Sequence, residues 1–134
     1  PELSRGLGDV YKRQKNMFSL QEKLKTKYPE VKLLSYSVTP EIDTIEQLKR
    51  YAIENKVDDK IWNLVTGDKK EIYTLARKSY LVVQNDGNGG PHDMIHTENF
   101  VLIDKGNRIR GYYDGTDINE MDRLITEIGM LKND

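Results

Sequence analysis

Apolar residues first recur at helical spacing in QKNMFSLQEKLKTKY, where Met17, Leu20, Leu24 and Tyr28 share one face, Lys and Glu stand between them, and Pro29 closes the pattern. One amphipathic helix is predicted over 15–28. The next apolar run, 31–38 (VKLLSYSV), reads as a strand stopped by Thr39-Pro40. Asp43 and Glu46 have the spacing of a capping box, which opens a helix running to about Lys56. A second short strand is expected at 61–65 (IWNLV). Asp68 with Glu71 repeats the capping box, and Ile72, Leu75 and Ala76 form the buried stripe of a third helix. Strand and helix alternate here, so the pairing is expected to be parallel.

The segment 80–84 (YLVVQ) is apolar but brief, and the NDGNGGPHD that follows carries too many glycines and a proline for regular structure. Beyond that loop, 98–104 (ENFVLID) is apolar on both faces, as a strand covered on both sides should be. Lys105-Gly106-Asn107 supplies a Gly-containing three-residue hairpin loop. The returning strand, 108–114, alternates, with Ile109 and Tyr113 on one face and Arg108, Arg110 and Tyr112 on the other. Asp117 with Glu120 is a third capping box, and Met121, Leu124, Ile125, Ile128 and Leu131 build a last amphipathic helix. The order is helix, strand, helix, strand, helix, loop, hairpin, helix, with no internal repeat.

Length and charge narrow the function classes. A chain of 134 residues is one domain of ordinary size. Its 21 basic and 22 acidic residues give no global electrostatic reason to expect nucleic acid or an anionic membrane as partner. No run is long enough to span a bilayer, and the first residues, PELSRGLGDVYKRQ, show no apolar signal core. The absence of cysteine removes thiol catalysis, disulfides and thiolate metal ligands from the chain as written.

Most candidate motifs have a plainer account. Gly87-Asn88-Gly89-Gly90 runs into Pro91 rather than a helix start, so a phosphate cradle is a poor reading beside a loop. Asp86-Gly87-Asn88 lacks the later acidic ligands of a calcium loop. Asp114, Asp117, Glu120 and Asp122 cluster where carboxylates cap free amides and need no metal. Trp62 and the eight tyrosines lack interleaved basic residues, which favours core packing over a stacking platform. No nucleophile elbow accompanies the serines. His92 and His96, the only histidines, enter the hairpin from a loop that a rigid sheet would hold towards solvent. Pro91 and the glycines argue against the helix that a pair at i, i+4 would need to bind metal jointly. Spacing alone leaves open both a structural or surface histidine and a ligand.

From Lys15 onward the chain resembles the Sco/SenC (PrrC-like) family of thioredoxin-fold copper chaperones. The likeness rests on LLSYSVTPEIDTIEQLKRYA, on WNLVTGDKKEIYTLARKSY and above all on IHTENFVLIDKGNRIRGYYDGTD, with its single histidine ahead of the strand. It implies an α/β, thioredoxin-like fold of three layers, with a mixed sheet, a C-terminal β-hairpin and flanking helices. It also implies a copper ligand at His96, two thiolates from a Cys-x-x-x-Cys-Pro motif, and a role in assembling the copper centre of cytochrome c oxidase with its copper-bearing subunit as partner. The place implied for the parent is the periplasmic face of the inner membrane, held there by an anchor. The family's motif directly precedes a helix like 15–28, where this chain instead carries PELSRGLGDVYKRQ. Residues 1–14 are therefore expected to be non-native, resembling a translated sequencing adapter, with 15–134 a partial domain lacking the first core strand and both cysteines. Such a chain would be neither a thiol-disulfide reductase nor a tight copper binder. The competing reading is a thioredoxin-like binding module without metal or redox chemistry.

Overall fold

A computed structural model describes residues 2–37, 39–79, 87, 89–90 and 99–132, with side chains from residue 12 onward. Helix α1 spans Glu2–Lys27, beginning well before the predicted 15–28. Neither proline nor a β-branched run interrupts residues 2–14 apart from Val10, and once a helix exists each further residue adds a hydrogen bond at little extra cost. Leu3, Leu7, Val10 and Tyr11 themselves stand at helical spacing, which agrees with the helix extending upstream of residue 15. Its buried face is Asn16, Met17, Leu20, Gln21 and Leu24, all in the later half. The helix closes where Tyr28 N–H bonds Leu24 O, one residue before Pro29.

The chain divides into two compact units, one formed by residues 1–31 together with 98–134 and the other by 32–97. The second runs β-α-β in sequence. Strand β1 (Leu33–Tyr36) pairs in parallel with β2 (Trp62–Val65), Leu33 opposite Trp62 and Tyr36 opposite Val65. Helix α2 (Ile45–Glu54) lies between them in sequence. Trp62, only 1 % exposed, anchors this unit: its indole N–H donates to Ser35 Oγ at 2.9 Å, and Tyr51 meets its ring edge-on at 6.5 Å. Burying a side chain of this size stabilises by about 1.5–3 kcal/mol or more. Helix α3 (Lys69–Thr74) buries Ile72 and Tyr73, then passes into a π-helical turn at Leu75–Ser79 instead of continuing as the single helix expected.

Capping follows chemistry more closely than motif. Asp68 caps α3 as expected, its carboxylate accepting from Glu71 N–H at 3.0 Å. Helix α2 is instead capped by Thr44, whose hydroxyl accepts from Gln47 N–H at 3.3 Å. Asp43 is engaged elsewhere, accepting from Ser37 Oγ at 2.6 Å and Thr39 Oγ1 at 3.0 Å.

In the first unit β3 (Asn99–Ile103) and β4 (Ile109–Asp114) form an antiparallel hairpin, and α4 (Ile118–Lys132) follows. Met17, Leu20 and Leu24 of α1, Tyr113 of β4, and Met121, Leu124, Ile125 and Ile128 of α4 form its apolar core. Asn16 Nδ2 reaches Gly115 O at 2.9 Å, a buried bond between positions 99 residues apart. Asp117 accepts from Asn119 N–H at 2.9 Å at the start of α4, while Glu120 is taken up by Arg123 and not by a capping box. The hairpin's left-handed residue is Asn107 (φ 61°), not Gly106.

Among the described residues, β1 bonds only to β2 and β3 only to β4. The segment 80–84 lies outside the described residues.

Candidate metal centre

His96 and His92 both lie outside the described residues. What the structure describes is the hairpin that follows them in sequence, since β3 begins at Asn99, three positions beyond His96. That hairpin is tied down at both ends. At the turn, Asp104 Oδ1 accepts from Gly106 N–H and Arg108 N–H, each at 2.9 Å, and Oδ2 accepts from Arg108 Nε at 3.1 Å and Arg110 Nη1 at 3.0 Å. These donors, the Arg108 amide foremost and then the Arg110 guanidinium, hold the Asp104 carboxyl down at about 2. A bulge between Leu102 and Ile103, with Arg110 as the extra residue, sharpens the twist there.

At the other end Tyr113 is folded over Gly111. Its hydroxyl donates to Glu127 Oε2 at 2.5 Å, and the Arg123 guanidinium stacks on its ring at 4.2 Å. Arg123 also binds Glu120 Oε2 (2.7 Å), Glu127 Oε1 (3.1 Å) and the Tyr112 carbonyl (2.8 Å), so one side chain joins α4 to β4. Burial, and then the bond to Glu127, push the Tyr113 phenol well above its ordinary range. The hydrogen bond to Glu120 raises Arg123, and the same bond lowers Glu120. The hairpin that follows the histidines in sequence is therefore fixed by a carboxylate-organised turn and by a packed, hydrogen-bonded tyrosine.

The donor set is less complete than the hairpin. Among the described residues no group of three His, Cys, Asp or Glu side chains comes together, and the chain has no cysteine anywhere. The carboxylates of Asp43, Asp104 and Asp114 serve turns: Asp114 Oδ1, for instance, accepts from Thr116 N–H at 2.9 Å and from its hydroxyl at 2.7 Å. Cu(I) prefers sulfur, and an imidazole with hard oxygen donors does not make a tight site for it. Among the described residues, then, no donor set for a tightly held copper ion comes together.

Two organising residues were not singled out from the sequence. Arg123 could have been found from its spacing to Glu120 and Glu127, which is that of helical ion pairs. The role of Asp104 had a weaker signal, an aspartate at the mouth of a Gly-Asn turn.

Comparison with known proteins agrees with this architecture. The SCO1/SenC family model matches residues 12–132. The SCO1 protein homolog of Bacillus subtilis is 30% identical over 114 residues, covering 84% of this chain and 58% of that protein. The chain thus spans less than two thirds of that relative's length. The crystal structure of a SCO1/SenC family lipoprotein from Bacillus anthracis superposes with a TM-score of 0.73 at 27% identity, over 90% of this chain and 71% of the other. BsSco, a member of the Sco family of cytochrome c oxidase assembly proteins in which a disulfide switch was identified, gives 0.72 at 28% identity, over 87% and 68%. The fold class is accordingly α/β and thioredoxin-like, as expected from the resemblance.

Proposed function

The chain belongs to the SCO1/SenC family, and from that membership we propose that its parent protein is a copper chaperone and thiol-disulfide redox protein for assembly of the copper centre of cytochrome c oxidase. The observation that carries this reading is the family match over 12–132, which includes the histidine ahead of β3. In the parent, His96 supplies imidazole to copper, and a Cys-x-x-x-Cys-Pro segment ahead of residue 15 supplies two thiolates. Soft sulfur with one imidazole suits Cu(I), and the paired thiols could also exchange with a disulfide. The copper-bearing oxidase subunit is the receiving partner. A lipoprotein relative favours a parent held at the outer face of the membrane, although no described helix is long and apolar enough to cross it.

In its cysteine-free form the chain carries neither activity. It is expected to compete for Cu(I) against a chromophoric chelator no better than a surface histidine does. Extension at residue 15 with the missing strand and the Cys-x-x-x-Cys-Pro segment should restore tight binding. His96→Ala should then weaken binding by about tenfold or more, and His92→Ala should matter little. Equal losses from the two substitutions, or tight binding by the cysteine-free chain, would overturn the reading. The second of these outcomes would favour a binding module of different chemistry.

A further inference from the structure

We propose that the tip of the β3–β4 hairpin is a carboxylate-recognition site that docks an acidic protein surface. Residues 104–110 hold Lys105, Arg108 and Arg110 against the single acid Asp104, a local excess of positive charge in a chain whose net charge is −1. Asp104 does more than offset one of these charges. Both guanidiniums contact the same oxygen, Oδ2, at 3.1 and 3.0 Å, which holds the two contacting nitrogens within about 6 Å of each other. The carboxylate lies underneath, its side chain 11% exposed, while Arg108 and Arg110 are 75% and 37% exposed above it. Each arginine gives Asp104 a single nitrogen, and a guanidinium has five N–H donors in a planar fork, so most of both forks are left to meet a ligand. Arg110 and Tyr112 are the exposed residues of β4, which sets an aromatic ring, 38% exposed, beside the cations.

The scale of the cluster selects the partner. Membrane attraction takes about four to eight clustered basic residues, and nucleic-acid binding commonly neutralises about six to ten phosphates. Two oriented forks with a flanking lysine and tyrosine suit one or two carboxylates on a protein, bound bidentately. A rim contact of this kind raises the rate and selectivity of encounter more than it deepens affinity. The site contains no metal-ligand candidate, so it is independent of the copper reading.

The test uses the 134-residue chain and a fluorescein-labelled hexaglutamate peptide at low ionic strength, followed by anisotropy. Saturable binding is expected, weakened about tenfold by R108Q/R110Q and substantially by R108K/R110K, which keeps the charge but loses the forks. The same loss of charge on exposed α1 lysines, K12Q/K15Q, should leave binding unchanged. Circular dichroism shows whether the glutamine pair keeps the fold, and if it does not, the lysine pair decides, since it still offers cations to Asp104. Absence of saturable binding, equal weakening by K12Q/K15Q, or full binding by R108K/R110K would each overturn the proposal. So would co-sedimentation with phosphatidylglycerol vesicles that R108Q/R110Q abolishes, because the surface would then read lipid.

Discussion

Asp104 shows how much a single carboxylate can organise, because its two oxygens accept two loop amides and two guanidiniums. Its folded value of about 2 lies below the ordinary 3.8, so its contribution is fully present above about pH 4 and is lost as pH falls through about 2. Amide exchange at residues 105–112 should therefore accelerate across that acid window, and Asp104→Asn should abolish the dependence. An unchanged acid response in the asparagine variant would remove Asp104 as its cause. Tyr113 titrates in the opposite sense. Its folded value is raised, so its contribution is complete below the ordinary tyrosine range near pH 10 and disappears only as pH climbs through the higher folded value. Absorbance at alkaline pH should show one of the eight tyrosines ionising late or only with unfolding. Tyr113→Phe deletes the 2.5 Å bond to Glu127 while keeping the ring under Arg123, and should cost about 1–2 kcal/mol in denaturant unfolding.

The hairpin and the last helix are the elements most legible in the sequence, because a covered face leaves a periodic trace. Alternation over 109–113 separates Tyr113, 1% exposed, from Tyr112, 38% exposed, as a strand with one packed side requires. The trace fails where two local partners compete. Asp43 has capping-box spacing, yet the Ser37 and Thr39 hydroxyls take its oxygen and leave Thr44 to cap α2. The three-residue loop likewise needs its left-handed residue in last place, which falls on Asn107, a residue that tolerates it, although Gly106 is the conspicuous residue. His96 was recognisable only through family likeness, since a lone histidine before a strand has no periodicity of its own. Glycines give a test of packing between elements. A Cβ at Gly129 of α4 would lie 2.5 Å from Tyr28 Oη, so Gly129→Ala should forfeit the gain of up to about 1 kcal/mol that the change usually brings to a helix. That gain should return in a Tyr28→Phe background. At Gly111 the Cβ would meet Tyr113 Oη at 2.7 Å and its ring carbon at 3.0 Å, and Gly111→Ala should cost about 1–3 kcal/mol by displacing the ring.

At the scale of the whole molecule, the described residues give a parallel pair of strands in one unit and an antiparallel hairpin in the other, within the α/β, thioredoxin-like fold shared with the Sco structures. The family match begins at residue 12, and the buried side chains described in α1 are Asn16, Met17, Leu20, Gln21 and Leu24. Removing residues 1–14 should lower helical ellipticity by roughly a tenth of the chain's residues while moving the melting temperature little. A drop of several degrees would show that the early turns are packed. The unit to which α1 belongs is built from both ends of the sequence, and this has a consequence during synthesis. Residues 32–97 must emerge before β3, β4 and α4 exist, and at ribosomal speeds that takes roughly 3–13 s. Throughout that interval Met17, Leu20 and Leu24 have no partner to cover them, which makes the nascent α1 a ready target for a chaperone that binds exposed apolar helix faces.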